Sequence, residues 1–308
     1  MSDALVFPGQ GSQSQGMQAD LAAEFAEVRE TWEEASSVLG FDLWAIVADG
    51  PAEKLGETTI TQPAMLAAGV AAWRAWKAVG GETPAVVSGH SLGEYSALVA
   101  AGAMNFTDAM SVVKRRSELM QEAVPKGVGG MAAILGLDDA AVVEVCLSVA
   151  GEEIVEAVNF NAPGQVVIAG HVDAIARAID AAKAAGAKRA LPLPVSVPAH
   201  SALMRDAGEA LLDALNNVTI ESPGIKTIAA SDATAYGDGD DIRRRLSRQV
   251  YSPVRWVDTV RAMLANDGSR IVECGPGKVL AGLQRRIDRS IPVAALDSLD
   301  ALRAAVGQ

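Results

Sequence analysis

The sequence is poor in cysteine and histidine and has no long apolar run, and each scarcity removes a class of protein. Cys146 and Cys274 are the only cysteines among 308 residues. That count excludes a disulfide framework and agrees with a reducing, cytoplasmic setting. No closely spaced cysteine–histidine pairs suggest a metal, so none is expected. The apolar stretch at residues 4–8 lacks a basic start and is too short for an export signal. The alanine-rich run at 64–72 contains Gly69 and is soon followed by Arg74 and Lys77, so no membrane span is expected. Basic residues are also outnumbered: Lys and Arg total 26 against 38 Asp and Glu, a formal charge of -12. Such a surface excludes a general affinity for nucleic acid or anionic membranes, yet leaves room for a local basic mouth.

What is present reads as an α/β protein. Residues 4–7 form a short buried strand stopped by the loop Pro8-Gly9-Gln10-Gly11-Ser12-Gln13. Helical patterns come next at 17–39, with breaks, and at 61–79. A strand at 85–88 runs into Gly89-His90-Ser91-Leu92-Gly93 and then a helix to about 101. A helix at 107–123 is expected to be capped by Thr107. From Gly129 the order becomes strand 130–135, helix 138–149, strands 154–159 and 166–169, helix 172–185 and strand 187–193. That is the β-α-β-β-α-β order of a ferredoxin-like unit. Cys146 falls on the apolar face of its helix and Cys274 at a strand end. After His200 a helix to about 215 is followed by strands at 225–229 and 270–274, with helices at 241–249 and 256–265 between them. The expected architecture is a large parallel-sheet α/β domain of residues 1–127 and 197–308, with a ferredoxin-like small domain of residues 128–196 inserted.

The Gly89-x-Ser91-x-Gly93 segment, lying between a strand and a helix, is a nucleophile elbow. The strained turn exposes the Ser91 hydroxyl, and the amide of Leu92 faces the oxyanion that forms on attack. Serine requires a base, and only three histidines exist. His90 adjoins Ser91, and adjacent side chains on a turn diverge. His171 comes after Ala169-Gly170 and begins a surface helix. His200, in Val195-Ser196-Val197-Pro198-Ala199-His200, remains as the general base. A second oxyanion donor in elbow enzymes comes from a loop after an early strand, which selects the backbone amide of Gln10.

These pieces together resemble the malonyl-CoA:acyl carrier protein transacylases and the acyltransferase domains of polyketide synthases. The matching segments run the length of the chain: Phe7-Pro8-Gly9-Gln10-Gly11-Ser12-Gln13, Thr61-Gln62-Pro63-Ala64 and Gly89-His90-Ser91-Leu92-Gly93-Glu94-Tyr95-Ser96. They continue through Asn159-Phe160-Asn161-Ala162-Pro163-Gly164-Gln165, Pro198-Ala199-His200 and Glu273-Cys274-Gly275-Pro276-Gly277. The resemblance implies a hydrolase-like large domain with the ferredoxin-like insertion. It also implies that Arg116 grips a malonyl carboxylate, that the backbone carbonyl of Gln249 orients His200, and that Gln62 and Asn161 line the pocket. The substrates would be malonyl-CoA and an acyl carrier protein, with no cofactor. Lys188 with Arg189, and Lys278 with Arg285 and Arg286, are candidate docking cations for an acidic carrier. The competing readings are a serine esterase or thioesterase, a carrier-binding module without activity, and an acyltransferase of a polyketide pathway. Elbow hydrolases place an acid between Ser and a late His, whereas more than a hundred residues come after His200 here. The free-standing length favours fatty acid synthesis over a polyketide pathway.

Overall fold

A computed structural model describes residues 2–195 and 197–307. Met1, Ser196 and Gln308, at edges of the expected domains, lie outside the described residues. Strands numbered along the chain sort into two sheets. The first holds β1 (Asp3–Phe7), β2 (Val86–Gly89), β7 (Lys226–Ile228), β8 (Arg270–Glu273) and β9 (Val293–Ala295). All pair in parallel, in the order β7-β2-β1-β8-β9.

Short apolar runs make these strands because both faces of the sheet are covered. Leu5 and Phe7 enter one core, beneath helix Thr58–Ala78 and its neighbours. Ala4 and Val6, on alternate positions, enter another with Trp256, Met263 and Leu280. The register sets Phe7 opposite Gly89. The loops beyond them, Pro8–Gly11 and His90–Leu92, therefore leave the sheet side by side at its carboxyl end, where open α/β sheets bind ligands.

The second sheet is antiparallel and holds β3 (Gly129–Leu135), β4 (Val155–Ala162), β5 (Gln165–His171) and β6 (Arg189–Pro192) in the order β4-β5-β3-β6. This is the ferredoxin-like arrangement. Ala132, Ile134, Val166 and Ile168 pack on helices Asp139–Val149 and Val172–Ala184. The opposite face carries Met131, Val158, Val167 and Ala169, which pack with Leu193 and Ala199 towards the parallel sheet. Two backbone hydrogen bonds join the layers: Phe160 N–H to Val254 O at 2.9 Å and Val254 N–H to Val158 O at 2.8 Å.

Several elements differ from the sequence reading. The helix expected at 107–123 spans Phe106–Glu122, and its cap is Asn105, whose side chain accepts from Asp108 N–H. Thr107 instead donates its hydroxyl to Asn105 Oδ1. The helix expected at 61–79 begins three residues earlier, at Thr58, with Pro63 inside it. Helices Leu43–Asp49, Ala52–Leu55, Val279–Ile287 and Leu299–Val306, and strand β9, had no expected counterpart. Among the described residues, no helix is long and apolar enough to cross a membrane.

Candidate active site

Ser91 sits on the turn between β2 and helix Gly93–Ala100 with φ of 53°, in the left-handed region that non-glycine residues rarely occupy. Close approach explains the flanking glycines. A Cβ on Gly89 would lie 1.9 Å from the Gly93 carbonyl carbon, and one on Gly93 would lie 2.0 Å from Phe7 O. The turn is pinned by His90 N–H to Phe7 O and Gly93 N–H to His90 O, each 3.0 Å. Gly9 packs so tightly that its added Cβ would meet His90 O at 2.5 Å, and this draws Gln10 to the elbow. Gln10, Ser91 and Leu92 line one cavity of about 470 Å³.

His200 comes from 109 residues further along the chain, also with a left-handed φ, of 69°. Its Nε2 lies 2.8 Å from Ser91 Oγ. Its Nδ1 lies 2.9 Å from Gln249 O and 3.0 Å from Ser252 O. Carbonyl oxygens only accept, so Nδ1 carries the proton and the Nε2 lone pair faces the serine hydroxyl. Burial, reinforced by the Arg116 cation and by His90, lowers the pKa of His200 to about 3 against two favourable backbone hydrogen bonds. The imidazole is thus neutral at ordinary pH, as a base must be before it takes a proton. Two backbone carbonyls stand where many serine enzymes have a carboxylate.

The other histidines are occupied elsewhere. His90 Nε2 donates to Asn161 Oδ1 at 2.8 Å, and its ring lies against Trp256 at 5.4 Å. His171 ends β5 and accepts from Ile154 N–H through Nδ1 at 3.0 Å.

Helix Phe106–Glu122 separates Arg115 from Arg116 by its periodicity. Its inner face carries Val112, Val113, Arg116, Leu119 and Met120, while Arg115 pairs with Glu118 at the surface. The Arg116 guanidinium is 1 % exposed. Nη1 donates to Gln62 Oε1 at 2.5 Å, and Nη2 donates to Gln249 Oε1 at 3.1 Å and Ser91 Oγ at 3.3 Å. Its Nε–H is buried without a partner. Among the described residues no carboxylate pairs with it. The guanidinium therefore stands beside the serine with donors that no side chain of the described residues takes up.

Gln62 lines the cavity, together with Met120, Met131 and Leu193. Asn161 stands behind His90, and Asn159, two residues earlier, forms the cavity wall instead. Pairing irregularities in β4 at 157–159 and 160–162 disturb the alternation that would fix which asparagine faces inward. A second hollow of about 730 Å³, beside Trp32 and Trp44, shares no residue with this site. No group of three or more His, Cys, Asp or Glu among the described residues could hold a metal ion.

The sequence pattern of the acyl transferase domain matches residues 4–296. The chain belongs to the acyl transferase family. It is 52 % identical over 305 residues to the malonyl CoA-acyl carrier protein transacylase of Salmonella typhimurium, covering 99 % of both chains. The crystal structure of an acyl carrier protein S-malonyltransferase from Vibrio cholerae superposes with a TM-score of 0.96 at 52 % identity, covering 99 % of this chain and 100 % of that one. A type II PKS acyl-carrier protein in complex with its malonyl-transacylase is also similar, with a TM-score of 0.98, 50 % identity and 99 % of each chain covered.

For this acyl transferase, sequence reasoning missed three parts of the site. Ser252 supplies the second carbonyl to His200, but a backbone oxygen leaves no trace in residue type. The Gln249 side chain binds Arg116, Glu94 and Ser91 O. Glu94 lies in the first turn of its helix, where acids are ordinary, yet it is fully buried.

Proposed function

We propose that this chain transfers a malonyl group from malonyl-CoA to the phosphopantetheine thiol of an acyl carrier protein, through an ester on Ser91. The observation that carries the reading is the buried Arg116 guanidinium, 3.3 Å from the oxygen of a serine that already has a neutral imidazole 2.8 Å away. A malonyl carboxylate would accept from the guanidinium while its thioester carbon reaches Ser91. His200 takes the Ser91 proton as the oxygen attacks. The amides of Gln10 and Leu92 hold the tetrahedral oxyanion, and the sulfur of coenzyme A leaves with the proton from His200. In the second half His200 removes the carrier thiol proton, the thiolate attacks the ester, and the proton returns to Ser91. One thioester replaces another, so no energy source or cofactor is needed.

Residues 1–127 and 197–308 would be the catalytic domain and 128–196 the smaller one that walls the cleft. Lys188, Arg189 and Arg286 line a common hollow, which supports a local basic docking patch for an acidic carrier despite the overall charge of -12. Lys278 is drawn to Asp297 at 3.1 Å and is the weaker member. The chain would work in the cytoplasm, in fatty acid synthesis. The similarity to a malonyl-transacylase bound to a type II PKS carrier favours a polyketide carrier as the alternative acceptor.

Intact-protein mass spectrometry after incubation with malonyl-CoA tests the reading directly. A malonyl adduct that is absent in Ser91→Ala and transfers to carrier thiol faster than to water is expected. Rapid loss to water with no transfer would instead indicate a thioesterase.

A further inference from the structure

We infer that Glu94 is a positioning residue for acyl-group selection, acting through the side chain of Gln249 on the Arg116 guanidinium. The inference rests on the malonyl-transfer reading above and assigns that site an additional layer. Glu94 is 0 % exposed and has no direct cationic partner among the described ion pairs. Its Oε1 accepts from Gln249 Nε2 at 2.9 Å and from Ala230 N–H at 3.2 Å, and its Oε2 shares a short hydrogen bond with the Tyr236 hydroxyl. Arg245 lies over the Tyr236 ring at 4.5 Å.

The Gln249 amide therefore has an acceptor at one end and a donor-only guanidinium at the other. Turned over, it would set oxygen against oxygen at Glu94 and N–H against N–H at Arg116. Its orientation is fixed by two opposed partners, and Oε1 of Glu94 is an acceptor in either protonation state. The same amide donates to Ser91 O at 2.8 Å, and the Gln249 main chain holds His200 Nδ1. One residue thus ties base, elbow and guanidinium together.

The neutral amide also keeps the Glu94 carboxyl group off the guanidinium. A carboxylate in direct contact with Arg116 would pair with it and compete with the carboxylate of the substrate. With the amide between them, Glu94 steadies the guanidinium without occupying it.

The test compares malonyl with acetyl donors as the ratio of kcat/KM for Ser91 acylation, in four variants of the full chain. Gln249→Glu places a carboxylate of equal length against Arg116 and should lower the malonyl-to-acetyl ratio by about tenfold or more. Glu94→Leu removes the acceptor and should lower it similarly, whereas Glu94→Gln restores an acceptor oxygen and should keep it within about threefold. A ratio unchanged in a folded Gln249→Glu protein, or malonyl and acetyl rates falling together, overturns the inference. Arg116→Ala separates the two levels. If that variant keeps the malonyl preference, the malonyl-transfer reading itself fails. If Arg116→Ala loses the preference and Gln249→Glu does not, only the role of Glu94 and Gln249 is lost.

Discussion

The two sheets of this molecule bury different things. Around the carboxyl end of the parallel sheet the interior holds Gln62, Glu94, Arg116, His200 and Gln249, each at most 3 % exposed and each hydrogen-bonded. Two backbones there, at Ser91 and His200, adopt positive φ. The antiparallel sheet buries Ala132, Ile134, Val142, Val166 and Ile168 against its helices, an apolar core on regular strands. Strained backbone costs about 1–3 kcal/mol per residue and persists only where surrounding structure enforces it. The contrast teaches a division of labour: one sheet spends stability to hold reactive groups in place, and the other supplies a wall.

If that division is right, the largest effects belong to the strained pair. Ser91→Ala should abolish the acyl-enzyme and reduce turnover on the order of 10⁶-fold, measured with malonyl-CoA and carrier thiol. His200→Ala should reduce the burst of acyl-enzyme by about 10²- to 10⁴-fold, the range of a lost general base. Faster acylation than that would show that another group removes the Ser91 proton, whereas among the described residues the hydrogen bonds of Ser91 Oγ are with His200 and with the donor Arg116.

Arg116→Ala ranks next. Malonyl transfer should weaken by about 10- to 100-fold while the preference for malonyl over acetyl relaxes, because a charged hydrogen-bonded group is lost only for the acid-bearing donor. Equal losses with both donors would make Arg116 a support of the elbow rather than a receptor.

Legibility differed between the two regions for physical reasons. The elbow could be read because close approach of Gly89, Gly93 and Phe7 tolerates no side chain, so the requirement is written in residue type. His200 could be read by elimination among three histidines. The ferredoxin-like order was legible because boundary residues mark its elements: Asp138 caps the first helix, and Gly136, Gly164 and Gly186 sit at turns with positive φ. Helices Val279–Ile287 and Leu299–Val306 were not read although each has an apolar face, with Leu280 and Leu283 in one and Leu302 and Ala305 in the other, because Gly275-Pro276-Gly277 marks a stop and both are short. The carbonyls that steady His200 were invisible because every residue has one. Glu94 was hidden for the opposite reason: an acid in a first helical turn has an ordinary explanation, and only its burial removes it.

The pH dependence sharpens the contrast further. A histidine titrating at 6.5 would be only about one per cent neutral at pH 4.5. With its pKa lowered to about 3, His200 stays neutral there. Acylation of Ser91 should therefore show no loss near pH 6.5 attributable to this base, measured as the single-turnover burst between pH 8 and the onset of unfolding. The same shift acts on stability. The unfolded chain binds a proton near 6.5 that the folded chain refuses until about 3, so folding becomes less favourable as pH falls between those values. An acid limb centred near 6.5 in the burst would place the imidazole in a far wetter setting than the one described.

The smallest effect on chemistry is expected in the antiparallel layer, and it is the one most able to break the comparison. Ile134 is 1 % exposed and points to the helices, away from the cavity that Met131 faces three residues earlier on the same strand. Ile134→Ala should cost about 2–5 kcal/mol of stability through lost burial and a residual cavity. Thermal melts should record that cost, while the acylation rate per folded molecule changes by less than about twofold. Because Ser91, His200 and Arg116 hang on the parallel sheet and its helices, a cavity behind β3 gives their geometry no reason to move. A fall in the rate of the folded fraction would mean that the wall transmits strain to the elbow, and that the two sheets work as one body.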